Sequence, residues 1–288
     1  MASILDLLTR GPTVSVELWP PRTPEATERL RQAMDELSQL RPAFASITYG
    51  AGGSTRGRTH DLVLELHANG TIVPMAHLTC VAHARSELEE ILERYRAAGI
   101  ENLLALRGDL PAAAAEARDG ELVHAIELVR LAKARGGFCV AVAAHPHGHP
   151  EATDSATDLD HLAAKLEVAD LGITQFLYRA DEYLRLRDAL ARRGVDRPLL
   201  AGVMPITGPR TLTRMAELCG VPVPDALARQ VAVAGEDLAA VREIGVEIAT
   251  ELCGRLLAEG AGGLHFYTMN QIAATAEICS RLGLNAPN

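Results

Sequence analysis

The chain has 288 residues, of which 48% are apolar and 23% charged, and a formal net charge of −9. That length suits one large barrel or two smaller domains, the apolar share can bury a sizeable core, and the acidic balance argues against a nucleic-acid partner. MASILDLLTR has no basic region ahead of its apolar residues and includes Asp6, and no later run approaches the roughly 18 apolar residues that span a membrane, so a cytoplasmic protein without a membrane partner is expected.

Eight short apolar runs, each followed by a helical stretch, fill the chain. The first, Thr13 to Leu18, precedes a helix over 24–40 that opens at Thr23 as N-cap with Pro24 at the first helical position. Leu30, Met34, Leu37 and Leu40 line one face of that helix. The second run, Ala45 to Thr48, leads through glycine-rich YGAGGST to a helix over 55–69. The third and fourth, Pro74 to Cys80 and Asn102 to Gly108, precede helices over 85–98 and 120–135. Cys139 to Ala144 and Gly172 to Tyr178 follow, with helices over 155–168 and 180–193. Leu199 to Pro205 is the seventh run. The stretch 209–259 exceeds one crossover, and Pro222 and Pro224 break it into two or three helices. Gly263 to Thr268 and a helix over 270–282 complete the count, while Gly99, Gly136, Gly194, Gly260 and Gly283 fall where helices should stop. The pattern predicts an α/β protein, a single (βα)8 TIM barrel covering residues 1–288. No repeat, low-complexity tract or interdomain linker interrupts it.

Barrel enzymes build their sites at the C-terminal ends of the strands. Here those ends carry Glu17, Thr48, His77, Arg107 with Asp109, His145, Gln175 and Tyr267. Strand alternation groups Ser15 with Glu17, Met75 with His77 and Thr79, Ala105 with Arg107 and Asp109, and Ile173 with Gln175, so these polar groups are expected to converge inside the barrel mouth. Glu17, flanked by Leu18 and Trp19, should be desolvated and hold its proton tightly, which suits a general acid. The bland alternative is a strand-end ion pair with an arginine. Arg107, Gly108 and Asp109 form a compact charged turn; its alternative is a salt bridge between Arg107 and Asp109. Gln175 offers a donor and an acceptor in one plane, for a ligand edge or for backbone groups.

Three motifs exclude more than they assign. YGAGGST misses G-x-G-x-x-G because Thr55 stands at the last glycine, and it lacks a phosphate-loop ending, so it reads as a tight turn into a helix near Ser54. His145, His147 and His149 alternate like metal ligands, but Pro146 and Pro150 break a regular strand and no Cys or carboxylate completes a set, so no metal is expected. The cysteines at 80, 139, 219, 253 and 279 are odd in number and lack C-x-x-C spacing, which suits buried thiols.

VELWPPRT (16–23), ITYGAGGSTRGRTHDL (47–62), AHLTC (76–80), ALRGDLP (105–111), HPEA (149–152), ITQF (173–176) and HFYTMN (265–270) occur in this order. Over residues 12–284 the chain resembles bacterial-type methylenetetrahydrofolate reductases. The resemblance implies a barrel with FAD that reduces 5,10-methylenetetrahydrofolate to 5-methyltetrahydrofolate using NADH or NADPH, in one-carbon metabolism and methionine supply. Its members are often homo-oligomers.

By the same resemblance Glu17 is the general acid, Asp109 is catalytic beside it, and Glu17, Asp109 and Gln175 contact the folate. Thr48 and His77 would bind the flavin ring or ribityl chain. Arg107, Gly108, Asp109, His145 and His149 would also contact the flavin, with Asp158 on the adenosine and Lys165 on the pyrophosphate. Departures fall at such positions: His145 replaces a frequent aromatic, Arg118 a covering tyrosine, Arg179 a frequent Asp and Gln271 an Arg, while the Pro209 region lacks an aromatic. They motivate a rival, direct hydride transfer from nicotinamide to folate without flavin. Two further rivals are a metal-dependent barrel hydrolase, from the three histidines, and a noncatalytic folate-binding or partner subunit, against which Glu17, Asp109 and Gln175 argue.

Overall fold

The structure, a computed structural model, describes residues 2–50, 56–81, 83–108 and 121–284. Its elements run α1 (Ile4–Leu8), β1 (Thr13–Leu18), α2 (Pro24–Leu40), β2 (Phe44–Ile47), α3 (Arg56–Asn69), β3 (Val73–Thr79), α4 (Arg85–Ala97), β4 (Asn102–Leu106), α5 (Ala125–Arg135) and β5 (Cys139–Ala144). They continue with α6 (Ser155–Val168), β6 (Leu171–Phe176), α7 (Ala180–Ala191), β7 (Leu199–Val203), α8 (Pro209–Cys219), α9 (Asp225–Ala234), α10 (Leu238–Ala258), β8 (Gly263–Tyr267) and α11 (Ala273–Arg281). The strands pair in parallel in chain order, and β8 closes onto β1 through pairs such as Ser15 with His265 and Glu17 with Tyr267. This is the expected (βα)8 barrel.

Period-two alternation separates two apolar layers. Val16, Leu18, Ile47, Leu78, Val142, Leu264 and Phe266 pack outward against the helices. Phe44, Met75, Leu104, Cys139, Leu171, Ile173 and Leu200 fill the lower interior. Burying each large side chain contributes about 1.5–3 kcal/mol relative to exposure. The short helix α1, which sequence patterning missed, inserts Ile4 into that interior layer. Ile4 N donates to Asn102 Oδ1 at 2.9 Å, which ties the plug to the start of β4.

Local chemistry sets the helix ends. Thr23 Oγ1 accepts from Ala26 N at 3.2 Å, with Pro24 opening α2. The long stretch 209–259 resolves into α8, α9 and α10, the upper end of the expectation. α11 begins three residues later than predicted, since Met269 and Asn270 take left-handed φ of 50° and 59°. Among the described residues no helix is long and apolar enough to cross a membrane. All five cysteines are free thiols, four of them buried.

The expected facing of the fourth strand needs correction. Ala105 lies in the outer layer and Leu104 in the inner one, so Arg107 does not share the inward face with Glu17. The segment NLLAL is apolar on both faces and offers no contrast to set its phase. Its Gly108 has φ +86°, and an added Cβ would lie 2.8 Å from Thr79 Cβ and 2.9 Å from Val81 Cγ2. Glycine is therefore required there by close packing against the end of β3.

Candidate active site

Glu17 reaches inward from the end of β1 and is buried. The Trp19 indole Nε1 donates to its Oε1 at 3.0 Å, and His77 Nε2 on β3 lies 3.9 Å from Oε2. Burial raises the Glu17 pKa to about 7, opposed by the Trp19 hydrogen bond. Burial pushes His77 down to about 3, so its imidazole is neutral and the pair is not an ion pair. His77 Nε2 is buried with no hydrogen-bond partner. Among the described residues no arginine pairs with Glu17.

Beneath this pair stands a histidine that motif reading missed. His265 on β8 is fully enclosed, with Nδ1 2.9 Å from Ser15 Oγ and Nε2 3.2 Å from Ser46 Oγ, and its ring stacks on Phe44 at 5.7 Å. Above it Tyr267 donates its hydroxyl to Thr174 O at 2.8 Å. Burial, then Glu17 and Cys219, raise the Tyr267 pKa. The alternation in GLHFY, which puts His265 and Tyr267 on one face, was the available signal.

A second group forms where β4, β5 and α6 meet. Arg107 makes a bidentate pair with Glu151: Nη2 donates to Oε1 at 2.8 Å and Nη1 to Oε2. Glu151 N donates to His149 Nδ1 at 3.2 Å, and His149 N to Asp158 Oδ2 at 3.0 Å. The His145 ring meets His149 edge-on at 5.0 Å. Burial, then His149 and Lys165, lower the His145 pKa to about 4, with Asp158 opposing. Lys165 Nζ donates to Ala143 O at 3.1 Å, and burial lowers its pKa. His145, His149, Asp158 and Lys165 thus lie near one another, and Arg107 joins them through Glu151.

The remaining candidates fall around the mouth. Thr48, half-buried after β2, donates its N–H to Leu18 O at 3.0 Å. Gln175 Oε1 accepts from the adjacent Phe176 N at 2.9 Å, so part of its capacity serves the backbone where the β6–β7 register shifts. His147 turns toward Glu182, its Nε2 3.5 Å from Oε2. Among the described residues no group of three or more His, Cys, Asp or Glu can hold a metal ion. Arg179 pairs with Asp181 and Glu182 at the start of α7, Pro209 opens α8, and Gln271 N donates to Thr268 O at 2.8 Å. Asp109, Arg118 and the glycine-rich residues 51–55 lie outside the described residues.

A buried acid that titrates near neutrality and a neutral histidine with an open nitrogen suit proton delivery to a bound ligand. The family pattern described as methylenetetrahydrofolate reductase matches residues 2–283. A 5,10-methylenetetrahydrofolate reductase of Pectobacterium carotovorum subsp. carotovorum is 35% identical over 272 residues, covering 94% of this chain and 90% of that protein. Methylenetetrahydrofolate reductase (NADH) 1 of Arabidopsis thaliana is 33% identical over 284 residues, covering 94% of this chain and 48% of that one. A solved Clostridium thermocellum protein, described as binding two copies of 5-methyl-5,6,7,8-tetrahydrofolic acid, shares the fold at a TM-score of 0.64 and 12% identity, over 95% of this chain and 96% of that one. The chain therefore belongs to the methylenetetrahydrofolate reductase family and is an oxidoreductase.

Proposed function

We propose that this chain reduces 5,10-methylenetetrahydrofolate to 5-methyltetrahydrofolate with electrons from NADH or NADPH, through bound FAD, with Glu17 as general acid. The single observation that carries this reading is the buried Glu17 carboxyl at the barrel mouth, its pKa raised by burial to about 7, so that a substantial fraction holds its proton near neutral pH. The methylene bridge is a cyclic aminal; protonation at one nitrogen opens it to an iminium that accepts hydride. Glu17 supplies that proton, and the burial that raises its proton affinity also excludes water from the transfer. Asp109 and Gln175 complete the folate contacts in this reading.

The residues fit a flavin dinucleotide. The orphaned, buried His77 Nε2 needs a partner, and the half-buried Lys165 ammonium makes a single hydrogen bond, to Ala143 O, leaving donors for a pyrophosphate. Thr48, His77, Arg107, Gly108, Asp109, His145 and His149 would hold the ring and ribityl chain, and Asp158 the adenosine. Bound there, the flavin would take hydride from the nicotinamide and pass it to the folate in ping-pong order. The Arabidopsis relative's name supports a nicotinamide donor. A cytoplasmic homo-oligomer serving one-carbon metabolism and methionine supply completes the proposal.

One observation favours the rival of direct hydride transfer: the bidentate pair with Glu151 engages Arg107, a residue the flavin reading needs. An anaerobic visible spectrum separates the two. The expected result is a flavin band that bleaches with NADH and returns with methylenetetrahydrofolate. A colourless protein that oxidises NADH when folate is added, without added FAD, establishes the rival. Glu17→Gln should slow folate reduction by about 10²–10⁴-fold while sparing oxidation of NADH by the flavin. Equal loss of both half-reactions with flavin still bound would remove Glu17 from the acid role.

A further inference from the structure

Trp19 is 40% exposed, yet its indole is held on a buried carboxyl. The turn after β8 supplies the restraint. Asn270 brackets Trp19 as a strand neighbour would: Trp19 N donates to Asn270 Oδ1 at 2.9 Å, and Asn270 Nδ2 donates to Trp19 O at 2.9 Å. Asn270 N donates to Thr268 Oγ1 at 3.2 Å, and Thr268 Oγ1 donates to Glu17 O at 2.8 Å. The indole contact to Glu17 Oε1 closes a ring of five hydrogen bonds joining β1 to the β8 turn. Asn270 adopts left-handed φ to make it; Asn tolerates that region and carries both the donor and the acceptor required.

The other groups facing Glu17 are His77 on β3, Tyr267 on β8 and Cys219 at the end of α8, and none is charged near neutral pH. The Trp19 N–H is therefore the contact that stabilises the carboxylate left after proton transfer, against the burial that disfavours it. We propose that Trp19, clasped by Asn270, is the positioning residue for Glu17: its indole N–H fixes the orientation of the carboxyl group and keeps its proton transferable. The catalytic consequence rests on the reading of Glu17 as general acid.

The test follows the Glu17 carboxyl directly, by infrared difference titration of its protonated C=O band, identified by its absence in Glu17→Gln. Trp19→Phe keeps an aromatic ring and removes only the donor. Its band midpoint should rise by about half to one pH unit, and the alkaline limb of the folate-reduction profile should move up by the same amount. Asn270→Ala should shift both in the same direction by less, and it serves if Trp19→Phe does not fold. An unchanged midpoint in the folded variants overturns the inference. A midpoint that moves while the limb stays in place upholds the Trp19 contact and overturns the acid role of Glu17.

Discussion

Two sectors of the barrel mouth differ in how they hold ionisable groups. Around β8, β1 and β3, the side chains of Glu17, His77 and His265 are buried and shifted toward their neutral forms, with Glu17 and His265 hydrogen-bonded to uncharged partners. Around β4, β5 and α6, Arg107, Glu151, Asp158 and Lys165 are at least partly exposed and arranged with opposite charges side by side. In the first sector the dominant cost is desolvation, so protons are retained and become transferable. In the second, the Arg107–Glu151 pair favours the charged forms, while burial still pushes His145 and Lys165 toward their neutral forms. On the proposed reading, proton transfer and anion binding would occupy neighbouring arcs of one rim.

The sharpest way to break this contrast is to remove the buried carboxyl's charge. In the folded state Glu17 titrates near 7, against a reference of 4.5, so the native state binds its proton more tightly than the unfolded state. Stability is then lost as pH rises from 4.5 through 7. Glu17→Gln should exceed wild type by up to about 3 kcal/mol at pH 8, the advantage vanishing by pH 4, as read by urea unfolding. A pH-independent difference would show that this sector is not dry. Next in size, Lys165→Met should weaken FAD binding to the apoprotein by tenfold or more, about 1.4 kcal/mol, while Glu17→Gln leaves it unchanged. Equal flavin titrations for Lys165→Met and wild type would dissolve the division of labour. Smallest is the Arg107–Glu151 pair, with side chains 33% and 61% exposed. A double-mutant cycle with alanines should give a coupling below about 1 kcal/mol that weakens with salt. A coupling above about 2 kcal/mol would place this sector among buried networks too.

Much of this rim was legible from residue order, and the misses share a cause. Glu17 and His77 lie where alternation puts them because their strands contrast polar with apolar faces. β4 offers no such contrast, and its facing was read one residue out. Three strands also end two residues earlier than the sequence runs, at Leu106, Phe176 and Val203, because the last residues of those runs already belong to the loops. Glu151 was quoted only as part of a motif, yet it pairs with Arg107 across 44 residues of chain, a separation to which local pattern is blind. Asn270 likewise reaches Trp19 over 251 residues.

By itself the sequence determined the eight strands, their alternation with helices and the family, since periodicity, caps and ordered motifs are local properties. Only the tertiary structure decided which groups became neutral, which remained charged, and which side chains hold Glu17. Desolvation and hydrogen bonding depend on what fills the space around an atom, and here that space is filled by residues distant in the chain.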